Sequence, residues 1–170
     1  MNVVRDHYSN EGDKRGALTW KEGDCIYVTI QALGTLIQGK VVCEEDNDWT
    51  LYYEGILPNG TYTGRACYIN TAATSDKDAL AFSALSAVYV DNQMQCNRTS
   101  EGVWIEAMLR PQTGRIRFHG QVGETFNLSG VWHYSKYNIP DGTLKESTSP
   151  VTLTVGADGY TPYCYCSLPQ

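Results

Sequence analysis

The sequence predicts an all-β protein, an antiparallel sandwich or barrel. Apolar and polar residues alternate with a period of two along most of the 170-residue chain. The alternating runs are short, and Gly, Pro, Asn and Asp separate them. We identify about ten such runs at intervals of roughly 8–15 residues, the spacing that is typical of strands in sandwiches and barrels.

The first run shows this pattern most clearly. In WKEGDCIYVTIQA, residues 20–32, a Gly-Asp turn ends at Asp24, and Ile26, Val28 and Ile30 then fall on one face of a strand. We therefore predict a core strand here. The other predicted strands are 36–43, 49–55, 62–70, 87–91, 102–110, 114–120, 124–134, 149–155 and 161–168.

One segment, AATSDKDALAFSALS over residues 72–86, favours a short helix instead. Ser75 or Asp76 is suited to cap its N-terminus. Its apolar residues lie three apart, at Ala79, Phe82 and Leu85. This spacing places them on one helical face.

Length and charge limit the classes of protein to consider. We expect one sandwich domain over residues 17–170, with residues 1–16 as a flexible tail or a peripheral strand. The net charge is −6 and the pI about 5.0, which argues against a nucleic acid as partner. No run approaches the roughly 20 apolar residues of a membrane helix, so we expect no direct membrane span.

The six cysteines allow two interpretations. An even count fits three disulfides, but a chain of this size does not need them, and no C-x-x-C pair suggests a metal framework. Cys164 and Cys166 share a face of one predicted strand, which disfavours a bond between them. We predict that most of the cysteines are free, buried thiols that pack as small apolar side chains.

Residues suited to catalysis occur without a recognisable arrangement. His119 and His133 lie in neighbouring predicted strands and make only a weak metal or acid–base site, so we interpret them as surface or strand-end residues. Glycoside hydrolysis needs two carboxyl groups across a cleft, but nothing in the sequence places the available pairs there. These pairs are Glu101 with Glu106 and Glu44 with Glu45.

The acidic run CEEDND has a similar ambiguity. Glu45, Asp46 and Asp48 supply oxygen ligands of the kind that Ca²⁺ prefers, but their spacing does not match a calcium loop, and a solvated turn is the simpler interpretation. The sequence also lacks a nucleophile elbow, a phosphate loop and a dinucleotide fingerprint. We therefore predict a protein without catalytic activity, cofactor or metal.

Aromatic residues are the most promising candidates for binding. The chain has twelve Tyr and four Trp, and rings such as Trp49, Tyr52 and Trp132 are suited to stack on a ligand, for example a sugar. The alternative is packing in the core or across strands, because aromatic side chains are favoured in strands in any case.

Several landmarks of the chain resemble the fimbrillin-like proteins, pilin and surface-adhesion proteins of Gram-negative anaerobes. The opening W-x-x-G-D-x-I-x-V, formed by residues 20–28, is similar to the opening of that family. Further segments follow in the same order over about residues 17–169. They are DWTLYYEG, TYTGRACYIN, MLRPQTGRIRFHG, FNLSGVWHYSKYN and PVTLTVGADGYTPYCYCSLP.

This resemblance implies a transthyretin-like β-sandwich that corresponds to the first pilin domain, at the cell exterior or the outer-membrane surface. It implies assembly in which an extended strand of one subunit completes the open edge of another. Partners would be other pilin or adhesin subunits, a host or bacterial surface protein, or a glycan. Pilins of this family are processed after a basic residue near the N-terminus. Arg5 and Arg15 are the candidates here, and a simple flexible terminus is the alternative.

From these observations we expect an adhesion or pilus-structural protein that acts through edge-strand pairing. The main alternative is a carbohydrate-binding module or lectin that uses exposed Trp and Tyr residues. A phage or viral surface protein and a glycosidase are more remote alternatives. An unpaired sheet edge would favour the first interpretation, and rings aligned on an open sheet face would favour the second.

Overall fold

The computed structural model describes residues 2–5, 20–45, 48–70, 74–76 and 78–167, with 2–5 and 74–76 as backbone only. The chain divides into two compact units. Unit 1 comprises Met1–Tyr68, Tyr89–Pro111 and Ile139–Gly142, and unit 2 comprises Ile69–Val88, Gln112–Asn138 and Thr143–Gln170.

The described residues form fifteen strands. They are β1 (Asn2–Arg5), β2 (Cys25–Ala32), β3 (Thr35–Cys43), β4 (Trp49–Tyr53), β5 (Gly60–Ile69), β6 (Thr74–Asp76), β7 (Ala79–Ala81), β8 (Val88–Thr99), β9 (Gly102–Pro111), β10 (Thr113–Ile116), β11 (Thr125–Leu128), β12 (His133–Asn138), β13 (Leu144–Ser147), β14 (Val151–Thr154) and β15 (Cys164–Ser167).

Unit 1 is built on a seven-stranded sheet with the order β1-β9-β8-β5-β2-β3-β4. The neighbours β2 and β3, β2 and β5, β3 and β4, and β8 and β9 are antiparallel, whereas β1 runs parallel to β9. Alternate residues of the long strands are buried, as the period-two pattern predicts. In β2 these are Ile26, Val28, Ile30 and Ala32, so the core strand predicted from the opening stretch is confirmed.

The opposite face of β2 is covered where residues 139–142 cross it. Thr29 is buried there, and its hydroxyl donates a hydrogen bond to the Ile139 carbonyl at 2.7 Å. The Arg65 guanidinium, on the adjacent β5, donates to the Pro140 carbonyl. A buried polar group needs a partner, so these two bonds allow the sheet to have a second covered face at this point.

The sheet of unit 1 is curled. Val41 of β3 and Leu51 of β4 line the same cavity as Arg98 of β8 and Val103 of β9, although β2 and β5 separate these two pairs of strands in the sheet order. Strands so far apart in a flat sheet would not share a cavity. The curl therefore brings the β4 end of the sheet towards β8 and β9.

Unit 2 contains shorter strands in smaller sheets. One sheet has the order β13-β12-β7-β6, and β10-β15 and β11-β14 form antiparallel two-stranded sheets. Ala84, Leu153 and Cys164 form a buried cluster. The apolar side chains packed against it, Phe118, Leu128, Val151 and Cys166, are only partly buried.

The all-β class is thus confirmed, and the transthyretin-like sandwich stays a prediction. The helix predicted over 72–86 is wrong over its described residues, because 74–76 and 79–81 are the strands β6 and β7. Leu80 is fully buried and pairs with Tyr137 of β12. Pairing with a distant strand therefore overrides the i, i+3 spacing, which is a weak local preference in such a short segment.

All six cysteines are free thiols, and four of them are buried, as predicted. The buried ones are Cys43, Cys67, Cys96 and Cys164. Burial raises the pKa of the Cys67 thiol because it disfavours the charged thiolate. These thiols therefore pack as small apolar side chains rather than as reactive groups.

Candidate functional site

The candidate site is a cavity of about 640 Å³ beside the terminal strand β4 of unit 1. One wall is the inner face of β4 with Trp49, Leu51 and Tyr53, and the opposite wall includes Val103 and Ile105 of β9. The remaining lining residues are Trp20, Val41, Asp48, Thr50 and Arg98. We call this feature the edge cavity.

Half of the backbone N–H and C=O groups of β4 are oriented to pair with another strand on the side away from β3. The Cys43 N–H donates to the Asp24 carbonyl at 2.8 Å, so the polar groups of Cys43 point towards β2. Cys43 is opposite Trp49 in the β3–β4 register. Hydrogen-bonded and non-hydrogen-bonded pairs alternate in an antiparallel ladder. The N–H and C=O groups of Trp49, Leu51 and Tyr53 therefore point away from β3.

The same three residues also direct their side chains into the edge cavity, because they share one face of the strand. Among the described strands, β4 has β3 as its neighbour on one side and none on the other. The arrangement thus combines outward-pointing backbone donors and acceptors with an adjacent cavity that is lined by both apolar and polar side chains. These are the two features that binding of an added strand requires.

A row of aromatic rings fixes the position of Trp49 at this edge. Its ring meets Trp20 edge-to-face at 5.4 Å, Trp20 meets Tyr68 in the same way at 5.0 Å, and Tyr68 lies 5.8 Å from Tyr89. Edge-to-face contacts of this kind are favourable beyond the burial of apolar area. The Trp of the opening motif therefore supports the wall of the edge cavity.

The Gly-Asp turn of the same motif also has a structural role. One carboxylate oxygen of Asp24 accepts a hydrogen bond from the Lys21 N–H at 2.8 Å, and the Tyr68 hydroxyl donates to the other at 3.4 Å. Gly23 adopts a positive φ of 88°, a conformation that favours glycine. The motif thus closes the turn that leads Trp20 into β2.

Tyr52 lies on the opposite face of β4 from Trp49. Its ring is 48% exposed, and its hydroxyl donates to Glu44 Oε1 at 2.9 Å. This hydrogen bond and the negative charge of Glu44 raise the pKa of Tyr52. Lys40 Nζ lies 6.0 Å from the centre of the ring.

The structure therefore does not bring the predicted stacking residues Trp49 and Tyr52 to one surface. Trp132 belongs to unit 2, where it is 56% exposed and its carbonyl accepts the Ser167 N–H at 2.9 Å. Arg5 lies in β1, in register with Leu109 of β9, and Arg15 lies outside the described residues. The roles of these residues in ligand binding and processing stay predictions.

The candidate catalytic residues are also separate from one another in the strand pairing. His119 forms an isolated bridge with Tyr160, whereas His133 is buried in β12 opposite Ser147. Asp46 of the acidic run lies outside the described residues. Among the residues that are described, no cluster of three or more His, Cys, Asp or Glu is arranged to hold a metal ion.

Glu101 and Glu106, the first predicted carboxyl pair, are both exposed in unit 1 and belong to different features. Glu101 lies in the turn between β8 and β9, and Glu106 lies on β9, where it accepts a hydrogen bond from the Trp104 indole.

Within the described part of the chain, no helix has the length and apolar character needed to cross a membrane.

Sequence reasoning identified Trp49 but missed the other wall of the edge cavity, Arg98 and Val103. The alternation of Trp49, Leu51 and Tyr53 was a usable signal for one face of β4. The approach of β4 to β9 depends on the curl of the sheet, which no local pattern reports.

Comparison with known proteins gives one informative similarity. The fold resembles that of a putative adhesin from Bacteroides ovatus, whose crystal structure aligns with a TM-score of 0.50 at 12% sequence identity. The alignment covers 100% of this chain and 67% of that protein. No protein-family model and no curated protein matches the sequence. At this identity the similarity shows a shared fold alone.

Proposed function

We propose that this chain is a non-catalytic adhesion or pilus-structural protein of the cell surface that binds partner subunits by strand pairing at β4. The observation that carries the proposal is the coincidence of three outward-pointing backbone positions with the edge cavity. A strand added at this edge gains main-chain hydrogen bonds, and alternate side chains of that strand enter the cavity.

The fold similarity and the sequence landmarks support this proposal. The protein with the similar fold is described as a putative adhesin, and the resemblance of residues 17–169 to fimbrillin-like proteins implies strand exchange between subunits. A transthyretin-like sandwich and an extracellular or outer-membrane location belong to the same proposal. Processing at Arg5 or Arg15 would act on the segment that contains β1, at the other end of the sheet.

Exposed sheet edges normally carry features that block pairing, such as charges or proline. The inner positions of β4 are Trp49, Leu51 and Tyr53, none of which is charged. An edge without these features is suited to pair with another strand, and it would be a liability in a protein that does not use it.

The test is a proline substitution at the middle outward-pointing position. Leu51→Pro removes one outward N–H but leaves the hydrogen bonds of Thr50 and Tyr52 to β3 intact, because proline is tolerated at an edge when its nitrogen faces away from the neighbouring strand. We expect the wild-type chain to self-associate with rising concentration in sedimentation velocity, and Leu51→Pro to remain monomeric.

The matched control is Leu51→Ala, which shortens the same side chain but keeps the N–H. We expect it to retain association with reduced affinity, because only the side-chain contacts are lost. Self-association of Leu51→Pro equal to that of the wild type would contradict pairing at β4, as would a wild-type chain that stays monomeric at every concentration.

A carbohydrate-binding function is the second candidate, and exposed rings favour it. Tyr52, Trp104 and Trp132 are each about half exposed, and exposed rings offer faces for stacking with a sugar. Trp104 lies on β9 with its indole N–H directed to Glu106 Oε1 at 3.4 Å. Binding of neutral glycans that Trp104→Ala abolishes, together with an unchanged monomeric state, would favour this second function.

A further inference from the structure

Unit 2 carries an alternating row of cationic and aromatic side chains that the proposed function does not use. Arg115 and Arg117 extend from β10 towards His119, and Tyr160 and Tyr163 lie on the segment that faces them. The Arg115 guanidinium carbon lies 4.0 Å from the centre of the Tyr163 ring. That of Arg117 lies 4.1 Å from Tyr160 and 4.8 Å from Tyr163. We call these five residues the arginine–tyrosine ladder.

Backbone pairing on both sides holds the ladder in place. Arg115 is in register with Tyr165 in the β10–β15 pair, and His119 forms a bridge with Tyr160. Between them the Thr161 N–H donates to the Phe118 carbonyl at 2.8 Å. Residues 115, 117 and 119 therefore project on one side of their segment with the period of an extended chain.

Arg117 is exposed, and among the described residues its guanidinium lies over tyrosine rings rather than beside an acid. Within the described part of the chain, its contacts are the rings of Tyr160 and Tyr163. Stacking on a ring uses the flat face of a guanidinium and leaves the N–H groups at its rim available as donors. The rings thus hold the cation in a fixed orientation, which lowers the conformational entropy that it loses when it binds a ligand.

The charge of the surroundings makes this row unusual. The chain carries a net charge of −6, yet the ladder presents two arginines and a histidine in sequence. Two carboxylates close in sequence to the ladder are engaged by backbone groups: Asp158 Oδ1 accepts the Tyr160 N–H at 3.1 Å, and Glu124 Oε2 accepts the Gln121 N–H at 3.0 Å.

We propose that the arginine–tyrosine ladder binds the carboxylate groups of an acidic polysaccharide, a polyuronate. A planar carboxylate matches the fork of a guanidinium through two parallel hydrogen bonds. A guanidinium already lies over each of the Tyr160 and Tyr163 rings, so we assign these rings to holding the arginines rather than to stacking on a neutral sugar. Their hydroxyls and the imidazole of His119 can instead hydrogen-bond to the sugar hydroxyls that alternate with the carboxylates of such a chain.

This inference does not rest on the proposed function, because it concerns other residues of a different unit and needs no open edge at β4. An acidic peptide offers carboxylates on flexible side chains but lacks the hydroxyl groups that would use the tyrosine and histidine positions. A polyuronate offers both in one repeating unit, and the surface here is an open row rather than a closed pocket.

The experiment measures binding of polygalacturonate to the full chain and to charge variants by biolayer interferometry at fixed ionic strength. We expect Arg117→Gln to weaken binding about tenfold or more, since a hydrogen-bonded charge pair is lost. Lys145→Gln removes the same charge from β13 of the same unit, where Lys145 is exposed and lies outside the ladder, and we expect a change of less than about twofold because an isolated surface charge is screened by salt. Arg117→Lys keeps the charge but lacks the paired N–H groups of the guanidinium. We expect it to bind more tightly than Arg117→Gln and more weakly than the wild type.

Three further polymers distinguish the chemistry of the ligand. We expect dextran to show no binding, and dextran sulfate and poly-glutamate to bind more weakly than polygalacturonate. Equal binding of poly-glutamate would overturn the glycan assignment, and stronger binding of dextran sulfate would overturn the carboxylate assignment. Equal effects of Arg117→Gln and Lys145→Gln would show a non-specific charge effect and overturn the ladder as a site.

The two proposals fail separately in this design. Leu51→Pro should leave polygalacturonate binding unchanged, and Arg117→Gln should leave self-association unchanged. Circular dichroism and thermal melting verify that each variant is folded. If Arg117→Gln is not folded, the comparison of binding uses Arg117→Lys in its place.

Discussion

Unit 1 and unit 2 use the same alternating pattern in strands of very different length. The strands β5, β8 and β9 of unit 1 have 10, 12 and 10 residues, whereas the strands assigned to unit 2 have three to six residues. Long strands give each buried face several consecutive contacts, and the sheet that they form ends at the five-residue strand β4. Short strands give fewer buried side chains, and exposed contacts such as the arginine–tyrosine ladder lie beside them.

The comparison separates two kinds of candidate site. In unit 1 the site follows from the backbone, because the edge of a large sheet determines where another strand can pair. In unit 2 the site follows from side chains that two short segments hold in register.

Core truncation should cost more in unit 1 than in unit 2. Ile30 is completely buried in the long sheet, so Ile30→Ala should lower the free energy of unfolding by about 2–5 kcal/mol. Leu153 is equally buried, but four of the side chains packed against its cluster are only partly buried and can relax into the space. We expect Leu153→Ala to cost near the lower end of that range.

Urea denaturation of both variants, followed by circular dichroism, measures the two costs. A loss for Leu153→Ala that equals or exceeds that for Ile30→Ala would contradict the difference in packing between the units.

A glycine in each unit tests the closeness of backbone packing. A Cβ at Gly64 would collide with the Thr29 carbonyl oxygen and lie 3.0 Å from Met94 Cε, so Gly64→Ala should cost about 1–3 kcal/mol. A Cβ at Gly156 in unit 2 would meet Asp158 Oδ1 at an ordinary 3.5 Å, so Gly156→Ala should change the free energy of unfolding by less than about 0.5 kcal/mol. Thermal melting compares the two, and equal shifts in Tm would be inconsistent with the close approach at Gly64.

Each unit contains a buried thiol that should make stability fall at alkaline pH. Burial raises the pKa of Cys67 above its ordinary value of 9.0, and burial and Cys166 raise that of Cys164 to about 12. Above pH 9 the unfolded chain loses these protons while the folded chain keeps them. These two thiols therefore do not change the free energy of unfolding below pH 9. Above pH 9 each of them lowers it by about 1.4 kcal/mol per pH unit.

Urea titrations between pH 7 and pH 11 test this dependence. Cys67→Ala and Cys164→Ala should each reduce the slope above pH 9 by the contribution of one thiol. An unchanged slope in either variant would show that the thiol concerned ionises equally easily in the folded chain.

The smallest effect concerns the β2–β3 hairpin of unit 1. Leu33 has a φ of 51° and is 80% exposed, and Gly34 follows with a φ of 78°. Two positive φ values are typical of a type I′ turn, for which Asn-Gly is preferred. Leu33→Asn should therefore raise the free energy of unfolding by up to about 1 kcal/mol.

The control is Leu33→Ala, which removes the exposed side chain but retains the unfavourable conformation. It should give little or no gain in Tm. A gain equal to that of Leu33→Asn would attribute the effect to the exposed leucine rather than to the backbone.

The sequence predicts the long strands of unit 1 well, because each repeats its alternation several times. In β2 four consecutive even positions are apolar and buried. The sequence predicts β8 only as far as Asp91, because the following run NQMQCNRT, residues 92–99, is polar apart from Met94 and Cys96. There the register with β9 shifts between Val90 and Gln95, and the Asp91 carboxylate accepts the Met108 N–H at 2.8 Å.

Prediction was poorer in unit 2, where short strands provide little periodicity. The sequence predicts one strand over residues 124–134, but Gly130 has a φ of 71° and separates β11 from β12. The arginine–tyrosine ladder was missed as well, although Arg115 and Arg117 already alternate in the sequence. Their partners Tyr160 and Tyr163 are more than forty residues away, so only the fold brings them together.

Residue-specific amide hydrogen exchange across β4 tests most directly whether this edge of the sheet is open. In dilute solution the outward amides of Trp49, Leu51 and Tyr53 should exchange faster than those of Thr50 and Tyr52, which bond to β3. At concentrations where the chain self-associates, the outward amides should become protected. Uniform protection of all five amides in dilute solution, or outward amides that still exchange rapidly after association, would contradict an open edge at β4 that pairs with a partner strand.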